Sequence, residues 1–251
     1  VSSFDLTGRC ALVTGANTGI GQAIALGLAQ AGADVVGAGR SAMDETAALL
    51  APAGHRFASL RVDLANIGEA KELVGRATAA LRRPDILVNN AGIIRRAEAL
   101  EMEEDDWDAV IDVNLKSAFF LSQMFARAAL AVKAPAKIIN IASLLSFQGG
   151  IRVAAYTASK SGLAGLTRLL ANEWAAQGIN VNAIAPGYIV TNNTAALRTD
   201  PKRNHDLLTR IPAGRWGEGA DIAGAAVFLS SRAADYVHGA ILPVDGGWLA
   251  R

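Results

Sequence analysis

Short apolar runs rich in β-branched residues recur along this chain, separated by longer alanine-rich stretches with helical spacing. The runs at 10–14, 34–38, 57–62, 85–89, 137–141, 180–184 and 241–244 predict strands. The stretches at 20–31, 44–50, 67–82, 104–133, 155–177 and 220–230 predict helices. The strands lack the in/out alternation of a sheet with one wet face. Alternating with helices, they predict a parallel sheet covered on both sides. The expected fold class is therefore α/β, a doubly wound parallel sheet of about seven strands. No repeat or Pro/Gly/Ser-rich linker divides residues 1–251, so one domain is expected. The segment 192–210 is polar, contains Pro201 and shows no clear period. It reads as irregular, a candidate mobile flap over a substrate.

Charge narrows the classes of partner. Lys and Arg number 24 against 23 Asp and Glu, with no basic block, which argues against nucleic acid and against a membrane surface. Cys10 is the only cysteine, so neither an intrachain disulfide nor a cysteine metal cluster can form, in keeping with a reducing compartment. No apolar run reaches the ~18 residues of a membrane span. Residues 1–7 lack a cationic segment followed by an apolar core. The cytoplasm is the expected location.

Two features point to chemistry. Tyr156 and Lys160 lie four residues apart in a predicted helix and so share a face. A free phenol, with a pKa of roughly 10, is a poor base at neutral pH, and a cation beside it favours the phenolate. The pair can therefore move a proton; a buried tyrosine beside a solvated lysine is the plainer alternative. The second feature is the loop Thr14-Gly15-Ala16-Asn17-Thr18-Gly19-Ile20-Gly21, between the first strand and the first helix. Glycines there permit a tight turn and close approach, and the helix start offers free N–H groups to a pyrophosphate. The spacing departs from GxGxxG and lacks the Gly-Lys-Ser/Thr ending of a nucleoside-triphosphate loop.

Together with Asp63-Leu64, Asn89-Asn90-Ala91-Gly92, Asn114, Ser143 and Pro186-Gly187, these segments give the chain a full-length resemblance to the short-chain dehydrogenase/reductase family. The resemblance implies a Rossmann-type domain that binds NAD or NADP without metal, commonly as a homotetramer. It implies reversible hydride transfer between nicotinamide and an alcohol or ketone. Tyr156 would carry the proton, and Lys160 would stabilise the phenolate and bond the nicotinamide ribose. Ser143 would hold the substrate oxygen, and Asn114 would hold a water linking Lys160 to solvent. The cofactor would lie on Gly15, Asn17, Thr18, Gly19, Ile20, Gly21, Arg40, Ser41, Asp63, Leu64, Asn90, Ala91, Gly92, Tyr156, Lys160, Pro186, Gly187, Ile189 and Thr191. Within that group Asp63 would accept from the adenine amino group, and Ile189 and Thr191 would hold the carboxamide.

Several segments are similar to one branch of the family. They are 92–96, 143–153, 187–194, 211–216 and the C-terminal 244–251. The branch comprises the 2-dehydro-3-deoxy-gluconate 5-dehydrogenases, also called 2-deoxy-gluconate 3-dehydrogenases, with gluconate 5-dehydrogenases as neighbours. This implies a sugar acid as substrate. Arg95, Arg96, Arg152 and Arg198 are candidates for its carboxylate, since guanidinium captures carboxylates bidentately. Gln148, Asn192 and Asn193 are candidates for its hydroxyls. The alternatives are a reductase of the same fold acting on an acyl or other ketone, and a cofactor-binding homologue that has lost catalysis. Intact Ser143, Tyr156 and Lys160 argue against the second.

NAD-selective members carry an acidic residue at the end of the second strand, where it accepts from the ribose hydroxyls. This chain has Arg40-Ser41 there, which favours NADP or dual use, although Thr18 stands where many NADP enzymes have a basic residue. Arg40→Asp should therefore weaken NADP binding about tenfold or more, since a hydrogen bond to a charged group contributes roughly 1.5–3 kcal/mol. NAD should bind equally well or better. Dissociation constants for both cofactors check this, and an unchanged NADP constant would leave Arg40 no part in the preference.

Overall fold

A computed structural model describes residues 2–251. Seven parallel strands form one sheet in the order β3-β2-β1-β4-β5-β6-β7. They are β1 Cys10–Thr14, β2 Asp34–Gly39, β3 Phe57–Arg61, β4 Ile86–Asn89, β5 Ala136–Ile141, β6 Ile179–Pro186 and β7 Ile241–Val244. The doubly wound expectation is met, with edges differing from prediction by one or two residues. The inner strands are almost wholly buried, which explains their uniform apolar pattern. Only edge strands β3 and β7 are partly exposed along their length.

Helices cover both faces. On one side α1 (Gly19–Gln30) packs with α9 (Gly219–Ser230), and Ile24, Leu28, Ile222 and Leu229 meet Val13, Val35 and Ile139 of the sheet. On the other side lie α3 (Ile67–Ala80), α5 (Ser117–Ala131) and α6 (Ala154–Trp174). Leu73, Leu121, Phe125 and Leu170 pack there on Leu12, Val36 and Ile138. A short α2 (Asp44–Leu50) follows β2. Cys10 is fully buried in β1, and burial pushes its thiol up to about 11, so it is an inert core residue. Among the described residues no helix is long and apolar enough to cross a membrane.

Two local readings are corrected. The single helix expected at 104–133 is interrupted. It runs as α4 (Glu104–Ile111), a π-helical turn at Asp112–Lys116, then α5. Side-chain periodicity barely registers the one-residue slip of a π turn, so the pattern reads as continuous. The segment 192–210 is not irregular. It contains α7 (Ala195–Thr199) and α8 (Pro201–Leu208). Asp200 caps α8 by accepting from the Lys202 and Arg203 N–H groups, and Pro201 occupies the first turn, where no N–H partner is needed. Both helices are short and polar, which hid them from an apolar period.

The strand order reverses between β1 and β4, and at such a switch the carboxyl ends of strands diverge to leave a crevice. Close chain packing shapes its far end. A Cβ on Gly187, just past β6, would lie 2.6 Å from the Asp245 Cα. Gly187→Ala must therefore displace backbone. Overpacking typically costs about 1–3 kcal/mol, which for a domain of this size is a fall of roughly 2–12 °C in melting temperature. A thermal melt measures it, and an unchanged midpoint would mean that the chain after β7 yields freely.

Candidate active site

A cavity of about 510 Å³ runs along the carboxyl ends of the strands, across the β1–β4 switch. At its centre the loop after β1 turns through Gly15 and Gly19, both at positive φ. A Cβ on Gly21 would sit 2.2 Å from the Gly15 carbonyl oxygen and 2.3 Å from Asn90 Nδ2, so only glycine fits. Thr18 at the start of α1 makes no side-chain cap, which leaves the first N–H groups of the helix free for an anion. Thr14 Oγ1 accepts from the Asn90 and Ala91 N–H groups, and Asn90 Nδ2 donates to the Thr14 carbonyl. These bonds knit the ends of β1 and β4 beneath the cavity.

Arg40 and Ser41 lie exposed at one end, on the turn after β2, with Asn17 Nδ2 donating to Ser41 Oγ at 2.9 Å. Asp63 and Leu64 line the same end. Asp63 uses one carboxylate oxygen to receive the Ala65 N–H. Every residue assigned to the cofactor from sequence lines this one cavity, and Asn193 does too. Gly39, Val62, Ile93, Val113, Ile141, Ala142 and Thr194 also line it. Sequence reasoning passed over these because all but Thr194 are glycine or apolar positions with no distinctive side chain, and Thr194 uses its hydroxyl on the Ile189 carbonyl.

Ser143, Tyr156 and Lys160 gather at the other end. Ser143 follows β5 and caps the turn Leu144–Ser146 by accepting from the Leu145 N–H. Tyr156 is half-buried in the first turn of α6, and Lys160 is buried one turn later. The ammonium donates to the Ile141 carbonyl at 2.6 Å and lies 5.6 Å from the centre of the Tyr156 ring. Burial lowers the Lys160 pKa to about 8. Burial also raises that of Tyr156, while a Ser143 hydrogen bond and the Arg96 charge pull it back.

Asn114 sits in the π turn, 2% exposed. Its amide accepts from the Ile93 N–H at 2.8 Å and donates to the Ile93 carbonyl at 2.9 Å and to Ser159 Oγ at 3.2 Å. A Cβ on Gly92 would lie 3.2 Å from Asn114 Oδ1 and 3.7 Å from Lys160 Nζ, so the three meet at one point. The amide itself is spent on backbone and Ser159, a scaffold partner that a lone serine in a helix does not advertise.

The substrate candidates divide. Arg95 pairs with Asp106 at 2.9 Å and Arg152 with Glu98 at 3.2 Å, and neither lines the cavity. Gln148 accepts from the Trp248 indole. Arg96 does not line the cavity either, but it has no carboxylate within 4.0 Å among the described residues and donates at 3.5 Å to the carbonyl of the cavity-lining Asn193. Arg198 donates to the Thr191 carbonyl and buries Nε without a partner.

A sheet crevice with a glycine-rich turn and a free helix N-terminus at its centre and a Ser–Tyr–Lys cluster at one end suits a dinucleotide and a proton-transfer reaction. The chain belongs to the short-chain dehydrogenase/reductase family, dehydrogenases that use NAD(P). The matching family model, described as enoyl-(acyl carrier protein) reductase, spans residues 15–249. The 2-dehydro-3-deoxy-D-gluconate 5-dehydrogenase of Escherichia coli is 57% identical over 251 residues, 100% of this chain and 99% of that protein. A solved structure from Agrobacterium tumefaciens, provisionally named a 2-deoxy-D-gluconate 3-dehydrogenase and holding NADP, is 65% identical over 100% of both chains, with a TM-score of 0.96. A gluconate 5-dehydrogenase from Burkholderia cenocepacia, in complex with NADP and tartrate, is 40% identical, with a TM-score of 0.92 and coverage of 99% and 98%.

The buried ammonium has a measurable cost. With Lys160 at about 8 folded and 10.5 unfolded, both states are protonated at pH 7 and the folded one bears the desolvation. Between those values the unfolded chain binds the extra proton, so stability rises with pH. Without cofactor, Lys160→Met should be more stable than wild type at pH 7, by up to roughly 3 kcal/mol. The gap should shrink above pH 8. Denaturant melts across pH check this, and a variant less stable at every pH would mean that the Ile141 hydrogen bond outweighs the burial.

Proposed function

We propose that the protein interconverts a secondary hydroxyl and a ketone on a six-carbon sugar acid, with NADP favoured over NAD. The observation that carries the reading is the convergence of Ser143, Tyr156 and Lys160 at the end of the cleft beside Arg96. The glycine turn, Arg40, Ser41, Asp63, Leu64, Asn90 to Gly92 and Pro186 to Thr191 would hold the cofactor, which accepts or supplies the hydride.

Tyr156 takes the hydroxyl proton during oxidation and returns it during reduction. Ser143 Oγ hydrogen-bonds the substrate oxygen, fixes it by the phenol and steadies developing negative charge. Lys160 holds positive charge beneath the phenol and reaches the ribose. Asn114 braces the Gly92–Ile93 turn against Lys160. Arg96, free of any carboxylate, receives the carboxylate of the substrate. Arg95 and Arg152 are weaker candidates because Asp106 and Glu98 already neutralise them. Asn193 and Gln148 read hydroxyls, and the segment 192–210 closes over the substrate. The names of the E. coli, A. tumefaciens and B. cenocepacia proteins support a sugar acid, and the bound NADP in the latter two supports the cofactor preference. The expected assembly is a cytoplasmic homotetramer with the helical stretches 104–133 and 155–177 at one isologous interface and 241–251 at another. Light scattering at micromolar concentration tests it, and a monomer there would overturn it.

NAD(P)H absorbance with 2-dehydro-3-deoxygluconate, 2-deoxygluconate, gluconate and a set of acyl ketones decides the substrate class. Turnover is expected with a sugar acid; turnover confined to acyl ketones would overturn the reading. Tyr156→Phe should lower the rate by about 10²–10⁴-fold, the usual worth of a positioned proton donor, with NADP binding little changed. Arg96→Leu should raise KM for the sugar acid about tenfold, as loss of one charged hydrogen bond predicts.

A further inference from the structure

The C-terminal Trp248 lies 3% exposed, buried by its own chain. Around it converge three segments that border the reaction end of the cleft. From the turn after β5, Leu144 packs on it, and Gln148, a hundred residues away in sequence, accepts from its indole N–H at 3.3 Å. From the turn after β6, the Tyr188 ring lies 4.7 Å away, between the cavity-lining Gly187 and Ile189. From the end of 192–210, Arg210 stacks its guanidinium 4.0 Å over the ring, while Leu207 and Ile211 complete the cluster.

Further bonds tie the same elements. Arg251 donates to the Thr209 carbonyl at 2.8 Å, and the Ala213 N–H donates to the Gly246 carbonyl at 2.9 Å. Trp216 stacks edge-on against Tyr188 at 5.7 Å, and its indole donates to Asn204 of α8 at 2.7 Å. Gly246 and Gly247 carry the chain past Ile211 and Pro212 at distances where a Cβ would meet side-chain atoms at 2.9 and 3.0 Å. The indole N–H can only donate, so it fixes the oxygen of the Gln148 amide toward itself and leaves the amide nitrogen pointing elsewhere. Ser143 precedes Leu144 directly, and Leu144 is held in this cluster.

We propose that Trp248 is a positioning residue. It locks the Ser143–Gln148 turn to the far end of 192–210, so that the hydroxyl that holds the substrate oxygen and the segment that covers the substrate keep one mutual arrangement. The proposal rests on the sugar-acid reading only for the choice of substrate. An ordinary core aromatic would contribute stability alone. A positioning residue also moves substrate affinity while sparing the adenosine and phosphate end of the cofactor, which the glycine turn, Arg40 and Ser41 would hold and which the cluster does not touch; its one approach to the cofactor side is Tyr188, between Gly187 and Ile189.

Trp248→Phe keeps one aromatic ring but removes the N–H and the second ring of the indole; Gln148→Leu removes the acceptor, together with any hydroxyl contact of that amide, and leaves the indole intact. Each should raise KM for the sugar acid several-fold, as loss of a hydrogen bond of about 1 kcal/mol predicts, with kcat falling less. The dissociation constant for NADPH should stay within about twofold, because no contact of the cluster reaches the glycine turn. A second readout needs no substrate. In the NADPH-loaded protein, trypsin should cut at Arg198, Lys202, Arg203 or Arg210 faster in Trp248→Phe and Trp248→Ala than in wild type. Both variants matching wild type in KM and in cleavage rate, with only a lowered melting temperature, would reduce Trp248 to core packing and overturn the proposal. If wild type turns over no sugar acid, the substrate reading fails, while the cleavage comparison still decides the role of Trp248.

Discussion

The joint between Thr14 and Asn90 is the constraint on which the rest of the site hangs. Strands β1 and β4 part at their carboxyl ends because the connections run in opposite directions from that point. Unpaired strand ends would leave buried N–H and carbonyl groups without partners, an expensive state. Thr14 Oγ1 receives two of those N–H groups, and the Asn90 amide donates to the Thr14 and Gly15 carbonyls. The floor of the crevice is thereby satisfied without closing it. The glycines follow from the same crowding, since the Asn90 amide occupies the space a Cβ at Gly15 or Gly21 would need.

A second buried polar ladder sets the depth of the helices under the reaction end. Asn89 donates to Ser122 of α5 and to Asn140 of β5, and Asn140 donates to Thr167 of α6. All four are at most 5% exposed, and hydrogen-bonding one another lets them be buried at little cost. The ladder clamps α5 and α6 to the centre of the sheet, and α6 in turn carries Tyr156 and Lys160. Lys160 is the exception, its ammonium held in a buried place against the Ile141 carbonyl.

The electrostatics of the cleft are distributed more widely than its motif. Four arginines near the site look alike in sequence, yet two are neutralised by Asp106 and Glu98 and one is turned to the Thr191 carbonyl. Arg96 alone of the four is neither paired with a carboxylate nor partly buried on a carbonyl, and its charge works against the burial that raises the Tyr156 pKa. Local spacing cannot distinguish them, because the carboxylate partner of Arg95 comes from a helix eleven residues on and that of Arg152 from a turn 54 residues back.

What the sequence determined by itself is the layered fold, the glycine turn and the line of residues that border one cavity. Strand burial on both faces and helical periodicity are local signals repeated seven times, and the glycine turn is forced wherever backbones must touch. Tertiary structure alone decided the π turn that presents Asn114 to Ile93, the capped helices within 192–210, and the role of Trp248, whose partners lie at residues 144, 148, 188 and 210. The reason is range. Periodicity and turn chemistry act within a few residues, whereas charge pairing, amide orientation and aromatic packing join positions tens to a hundred residues apart that only the folded sheet brings together.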